Sequence, residues 1–133
     1  MAQLEHPPVK GLFSNPGYSQ VVAASGSRTI YTAGQVPVDE TGALVGAGDL
    51  AAQAEQALRN VGLALAAAGA SYSDVVKITT YVVNYKPEHR AIIGKARASF
   101  FAGGPPPAST LVGVAALALS EWLVEVEAIA VVD

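Results

Sequence analysis

The sequence predicts an α+β sandwich, in which two helices pack on one face of a mixed β-sheet. The first observation is a hydrophobic pattern that switches between strand and helix periods, giving the order β-β-α-β-α-β-β. The second is a length of 133 residues with no internal repeat, which suits a single domain over 1–133. The third is a composition with 51% hydrophobic and only 14% charged residues, which excludes a disordered chain. So much apolar surface also suggests cover by another subunit.

The N-terminal part is predicted to hold an irregular lead-in and a hairpin. Residues 1–17 are interrupted by Pro and Gly and are expected to be irregular. Two short β-rich runs follow, Ser19–Ala24 and Thr29–Ala33. Because Ser25-Gly26-Ser27 between them is typical of a tight turn, the two runs are predicted to pair with each other.

The first helix is predicted from Asp49 to Gly69. Its apolar residues recur at helical spacing, at Leu50, Ala54, Ala57, Leu58, Val61, Leu65 and Ala68. Asp49 is suited to capping the free N–H groups of the first turn, and Gly69 to closing the last.

The C-terminal half is predicted to hold three strands and the second helix. Asp74–Asn84 is rich in β-branched residues, with Val76, Ile78, Thr80 and Val82 expected on one face. Pro87 is suited to a helix start, and that helix is expected to run to about Phe101 before the Gly-Pro run at 103–107. The last two strands are Ala108–Leu117 and Leu123–Val132.

Composition excludes several classes of function. A net charge of −3 gives no attraction to phosphate backbones, so no nucleic-acid partner is expected. The absence of cysteine excludes disulfides and thiolate chemistry, and the only histidines, His6 and His89, form no metal-binding motif. No apolar run is long enough for a membrane span and no signal peptide is evident, so a cytoplasmic location is expected.

Candidate polar groups remain at the ends of strands. Glu125 and Glu127 alternate with valines and therefore share one face of the last strand with Ile129. Such carboxylates are either solvated or, at a partly covered boundary, able to exchange protons near neutral pH. Tyr18 precedes the first predicted strand and is either a hydrogen-bond donor to a ligand or an aromatic packed on the Pro16-Gly17 turn.

Six ordered segments between residue 15 and the C-terminus carry a resemblance to a known family. They are Asn15-Pro16-Gly17-Tyr18-Ser19-Gln20, Ile30-Tyr31-Thr32-Ala33-Gly34-Gln35-Val36-Pro37, Gln53 through Gly69, Asp74-Val75-Val76-Lys77, Pro107 through Leu117 and Val124 through Ala130. In that order they resemble the motifs G-P-Y-S-Q, I-Y-T-S-G-Q-I-P, Q-x-x-x-x-L-x-N-x-x-x-x-L-x-x-A-G, D-V-V-K, P-A-R-S-T-V-E-V-A-x-L and I-E-I-E-A-I-A of the Rid (YjgF) family of reactive-intermediate deaminases.

The resemblance implies a chorismate-mutase-like homotrimer with ligand clefts between adjacent subunits. It also implies cofactor-free hydrolysis of enamines and imines, released by pyridoxal-phosphate enzymes, to 2-oxo acids and ammonia. Carried over, Glu125 is the glutamate that positions water and Tyr18 is the cleft tyrosine. Gly34 is on a loop whose backbone faces the ligand, and Leu111 is another lining residue.

The chain departs from the family pattern at the arginine that binds the substrate carboxylate. Ser109 stands in its place, and Gly113 and Gly94 replace a glutamate and an asparagine. These three residues predict a roomier, less charged cleft, with weaker binding of 2-imino acids. Either the substrate has changed, or the anchor has moved to Arg90 near the start of the second helix; Arg90 is otherwise a solvated residue.

Three functions are therefore expected from the sequence, in decreasing order. The first is a Rid-like hydrolase of reactive enamines or imines with an altered substrate. The second is a non-catalytic trimer that binds a small metabolite or a partner protein. The third is an endoribonuclease, an activity attributed to members of this family, which the acidic charge balance disfavours.

Overall fold

The computed structural model describes residues 1–133 and places two helices on one face of a four-stranded mixed sheet. The α+β architecture predicted from the sequence is therefore confirmed. Neither helix has the length and hydropathy that crossing a membrane requires. The elements are β1 (Gln3–Glu5), β2 (Ala23–Ser25), β3 (Arg28–Tyr31), α1 (Leu50–Ala67), a 3-10 turn (Tyr72–Asp74), β4 (Val75–Val83), α2 (His89–Phe100), β5 (Ala108–Val114) and β6 (Val124–Val132).

The main sheet has the strand order β3-β6-β4-β5, and only the β4–β5 pair is parallel. Because side chains alternate along a strand, each strand has one face toward the helices and one away from them. On β6 the helix face is buried and apolar, and its residues are Val124, Val126, Ala128, Ala130 and Val132. On the outer face, two large side chains remain well exposed in the single chain, Tyr31 at 73% and Val112 at 37%.

Helix α1 supplies most of the core that covers this sheet. Its buried apolar residues are Ala54, Ala57, Leu58, Val61 and Leu65, as the helical period predicts. The Asp49 carboxylate accepts a hydrogen bond from the N–H of Ala52, and Gly69 has φ +82°, so both predicted caps are confirmed. Helix α2 adds Ile93 to the same core.

Two predictions for the N-terminal part are wrong. Residues 23–25 and 28–31 do not pair with each other: β2 pairs with β1, and β3 pairs with β6. Strand β1 also lies within the segment expected to be irregular. In both cases the pairing partner is distant in the sequence: β1 and β2 form a separate two-stranded sheet, and β3 occupies an edge of the main sheet beside β6. The local turn does not encode these partners.

A smaller correction concerns the inward face of β4. A register irregularity between Val75 and Lys77 places Val75, rather than Val76, in the buried set. From Ile78 onward the predicted alternation holds, with Ile78, Thr80 and Val82 buried.

A buried glutamine fixes the loops around the start of α1. The Gln53 side chain is fully buried, and its amide donates to the carbonyl oxygens of Gly46 and Glu121 at 3.1 Å each. Its Oε1 accepts from the N–H of Leu123 at 2.8 Å. Because an unpaired buried backbone group costs about 1–3 kcal/mol, Gln53→Leu is expected to lower the free energy of unfolding by about 3 kcal/mol or more.

Urea denaturation at one protein concentration checks this expectation. The matched control is Gln3→Leu, at an exposed glutamine that makes no side-chain hydrogen bond, with an expected change below about 0.5 kcal/mol. Equal small changes in both variants would show that the three hydrogen bonds contribute little.

Candidate functional site

A cleft of about 430 Å³ lies between α2 and the first residues of β5. The segment around Tyr18 forms its third wall. Its lining residues are Asn15, Gly17, Tyr18, Gln20, Arg90, Ile93, Gly94, Arg97, Ser109 and Leu111. Four residues predicted for the site, Tyr18, Arg90, Ser109 and Leu111, are therefore brought together here.

The segment that carries Tyr18 is held against β5 by hydrogen bonds of Ser19. The N–H of Ser19 donates to the carbonyl oxygen of Pro107 at 3.0 Å. The Ser19 hydroxyl donates to the carbonyl oxygen of Pro106 at 2.5 Å. On the other side of Tyr18, the Asn15 side chain accepts from the N–H of Gly17 at 2.7 Å and closes a turn. These contacts place the Tyr18 ring on the cleft wall.

Arg97 is the central cation of the cleft. Its Nη1 donates to Ser109 Oγ at 2.5 Å, and its Nη2 donates to the carbonyl oxygen of Gly17 at 3.1 Å. A guanidinium has five N–H donors, so three remain for a ligand. Partial burial lowers the pKa of the Arg97 guanidinium from its ordinary value, but an arginine side chain stays charged.

Arg97 is not among the site residues that the sequence predicts. Ser109 stands where the family has an arginine, and the sequence left open whether the substrate has changed or Arg90 is the anchor. In the structure the guanidinium that contacts Ser109 is that of Arg97, and Arg90 lines the same cleft. The cleft thus holds two guanidiniums, although Ser109 stands where the family motif has an arginine. The helical spacing of Arg90, Gly94 and Arg97, which puts the three on one helix face, is the signal that would have found it.

The two glycines of that prediction have different surroundings. A Cβ on Gly94 would meet no atom within 4 Å, so this position leaves open space in the cleft. A Cβ on Gly113 would lie 2.7 Å from the Cβ of Tyr85, so the volume beside this glycine is occupied. Only Gly94 makes the cleft roomier.

A second polar group lies on the outer face of the sheet. Gln35 and Val126 exchange two backbone hydrogen bonds, of 2.7 and 2.9 Å, and this pairing holds Gly34 beside Glu125. A Cβ on residue 34 would overlap the Glu125 carboxylate, so a larger residue there would displace that side chain. Two residues that the resemblance implies for the site, Gly34 and Glu125, therefore lie side by side within one chain.

Tyr81 joins this group from β4. Its hydroxyl donates to the Glu127 carboxylate. That hydrogen bond raises the pKa of the Tyr81 hydroxyl above its usual value, and the charges of Glu127 and Glu125 act in the same direction. The outer face therefore presents two carboxylates, of which Glu127 is already engaged and Glu125 makes no hydrogen bond.

The two polar groups lie on opposite faces of one sheet. Ser109 pairs with Ile78 on β4, whose side chain is fully buried under the helices. Glu125 pairs with Tyr81 on β4, which lies three residues beyond Ile78. Paired residues share a face and side chains alternate at every residue, so the odd separation puts Tyr81 and Glu125 on the other face of the sheet, away from the cleft that holds Ser109. One copy of the chain does not assemble all of the predicted site residues.

No three His, Asp or Glu side chains lie close enough together to hold a metal ion. The cleft therefore offers chemistry based on arginine, tyrosine, serine and backbone groups. Two cations and no acidic residue line it, and this charge balance favours an anionic ligand.

Comparisons with known proteins agree with the fold and with the family resemblance. A family model described as Endoribonuclease L-PSP matches residues 12–132. The chain is 36% identical over 114 residues to a 2-iminobutanoate/2-iminopropanoate deaminase of Rattus norvegicus, covering 86% of this chain and 79% of that one.

Solved structures give the same result. The crystal structure of YyfB, a Rid-family protein of unknown function from Yersinia pestis, superposes with a TM-score of 0.92 at 39% identity, covering 96% of this chain and 98% of that one. The structure of E. coli TdcF with bound serine superposes with a TM-score of 0.68 at 31% identity, covering 91% of each chain. The YjgF-like form of the predicted fold is confirmed by these matches.

Proposed function

Because the chain belongs to the Rid/YjgF/L-PSP (RutC) family, we propose that it hydrolyses reactive 2-imino acids and their enamine tautomers to 2-oxo acids and ammonia. The observation that carries the proposal is the hydrogen bond from Arg97 to Ser109, which brings a guanidinium from α2 to the residue that stands where the family motif has an arginine. The 36% identity to a 2-iminobutanoate/2-iminopropanoate deaminase supports the same reaction class.

In this proposal the free N–H groups of Arg97 bind the substrate carboxylate. Charge-assisted, paired hydrogen bonds are the strongest that a side chain offers to a carboxylate, so the reacting carbon is fixed relative to the cleft walls. The Tyr18 hydroxyl donates to the ligand, and Leu111 completes the wall of the cleft. The backbone at Gly34 comes with Glu125, beside which it lies, from a second copy of the chain.

Glu125 then serves as the general base for the attacking water. Its carboxylate accepts a proton from water as the water oxygen bonds to the imine carbon, and it then returns that proton to the nitrogen, which has received the C=N electron pair. The resulting carbinolamine loses ammonia when the C–N bond breaks and the hydroxyl oxygen forms the C=O bond. The products are a 2-oxo acid and ammonia, with no oxidant or cofactor required.

The proposal requires two copies of the chain at each cleft. Glu125 and Arg97 face away from each other in one copy, so the outer face of one chain must lie against the cleft of another. The exposed Tyr31 and Val112 on that face supply apolar surface for such a contact. A closed ring of three copies, each giving Glu125 to its neighbour, satisfies this requirement.

Ammonia release from freshly generated 2-aminoacrylate tests the proposal. A pyridoxal-phosphate dehydratase acting on serine supplies the substrate, and the spontaneous rate without this protein is the reference. We expect clear acceleration that is proportional to protein concentration. No acceleration with 2-aminoacrylate or with imines of larger amino acids would contradict the hydrolase proposal.

A second candidate is a non-catalytic binder of a small anionic metabolite. The observation that favours it is that the cationic cleft is complete within one chain, without Glu125. This candidate predicts saturable ligand binding with no turnover of any imine. An endoribonuclease remains disfavoured, since the net charge is −3 and only two cationic side chains line the cleft.

A further inference from the structure

The cleft holds two positive charges, and neither is neutralised by the protein. Arg90 and Arg97 both line it, and no acidic residue does. The ion pairs of the chain lie elsewhere, between the Met1 amino group and Asp133 and between Arg59 and Glu55. If Arg97 binds one carboxylate, a second unpaired guanidinium still faces the same space.

The position of Arg90 is not explained by the stability of its helix. It is the second residue of α2, which begins at His89. A cation near a helix N-terminus is electrostatically unfavourable, because the partial charge of the helix dipole there is positive. The Arg90 side chain is exposed and makes no hydrogen bond to the protein, so its guanidinium is free to bind a ligand.

The space between the two guanidiniums is open. Arg90 and Arg97 are seven residues apart on one helix face, so their Cα atoms are separated by about 10 Å along the axis. Gly94 lies between them, and a Cβ there would meet no atom within 4 Å. A ligand can therefore lie along this face with one end at each arginine.

We propose that the cleft is specific for dicarboxylic substrates, with the α-carboxylate on Arg97 and a distal carboxylate on Arg90. The substrate class is 2-imino dicarboxylic acids of four or five carbons. Their carboxylates are closer together than the two Cα atoms, and the long, flexible arginine side chains can converge on them from either end. The inference rests on the proposed function for the identity of the reacting group, but the second anion site stands on the geometry of Arg90, Gly94 and Arg97.

A neighbouring apolar cavity suggests the alternative to a dicarboxylic substrate, namely a substrate with an apolar side chain. Beyond Arg97, a neighbouring cavity is lined by Ala98, Phe101 and Pro107. An imino acid with a branched aliphatic side chain would bury that side chain there instead of reaching Arg90. The two assignments predict opposite preferences for ligands of equal length.

Binding of two five-carbon 2-oxo acids tests the proposal. 2-Oxoglutarate and 2-oxopentanoate are stable analogues of the imino acids and differ in the distal carboxylate. Isothermal titration calorimetry at low ionic strength measures both dissociation constants for the full-length protein, for Arg90→Gln and for Lys95→Gln. Lys95 is an exposed cation of α2 outside the cleft, so its variant matches the change in charge.

We expect the wild-type protein to bind 2-oxoglutarate at least tenfold more tightly than 2-oxopentanoate. Arg90→Gln is expected to remove most of this ratio, and Lys95→Gln to keep it. Equal binding of the two ligands, tighter binding of 2-oxopentanoate, an unchanged ratio in Arg90→Gln, or no binding of either ligand would each overturn the second anion site.

The outcome is separable from that of the proposed function. An Arg90-dependent preference without ammonia release from any imine would keep the anion site and reject the hydrolase. Ammonia release without a preference for dicarboxylates would keep the hydrolase and reject the anion site.

Discussion

Replacing Glu125 by Gln is expected to lower the accelerated rate of ammonia release from 2-aminoacrylate by at least about 100-fold, since a positioned general base contributes about 10²–10⁴ to a rate. The amide keeps the size of the carboxylate but cannot accept the proton of the attacking water. Steady-state ammonia release in the coupled assay measures the change. Because the substitution is isosteric on a half-buried strand face, the thermal unfolding temperature should stay close to that of the wild type.

Glu127→Gln is the matched control, since it makes the same change two residues along the same strand face. Glu127 is engaged by Tyr81, and we expect this variant to keep most of its activity. Equal losses in the two variants would point to the summed negative charge of the face rather than to one base. Full activity in Glu125→Gln would contradict its assigned role.

Replacing Arg97 by Gln is expected to lower kcat/KM for 2-imino acids by about 10- to 150-fold. The basis is the loss of a charged hydrogen-bonded anchor, which contributes about 1.5–3 kcal/mol. The same factor is expected in the dissociation constant of 2-oxobutanoate. Affinity for its uncharged methyl ester is expected to change less than about threefold, because the ester presents no full negative charge to the guanidinium.

Comparing the acid with its methyl ester distinguishes direct binding of the carboxylate by Arg97 from a purely structural role of this residue. Arg97 also bridges Ser109 and Gly17, so its removal can loosen the Tyr18 segment. A loosened wall would weaken the acid and the ester alike, and that result would contradict the anchor. Lys95→Gln, which removes a cation from the same helix outside the cleft, should leave both affinities unchanged.

Hydrophobic periodicity predicted the helices and strands because the side chains that the fold buries must be apolar, and their spacing in the sequence follows the geometry of the element. The helical spacing from Leu50 to Ala68 and the alternation in β6 both describe faces that must leave water. Strand pairing cannot be predicted in this way, because it joins segments that are distant in the sequence. The Ser25-Gly26-Ser27 turn was compatible with a hairpin, but β2 and β3 each found a more distant partner.

Part of the candidate site was also predictable from the sequence. Motif resemblance located Tyr18, Ser109 and Leu111, since each lies within a segment that resembles a family motif, and all three line the cleft. Arg97 was missed because its role depends on how α2 packs over β5, which no local pattern encodes. The separation of Glu125 from the cleft needed the pairing register, which the structure alone supplies.

The placement of Glu125 and Arg97 on opposite sides of the sheet has a genetic consequence. When each cleft takes its base from one copy and its anchor from another, two inactive alleles can complement each other. In randomly mixed rings of Glu125→Gln and Arg97→Gln chains, about a quarter of the clefts would receive both intact groups. A cell carrying both alleles would then regain activity that neither allele provides alone.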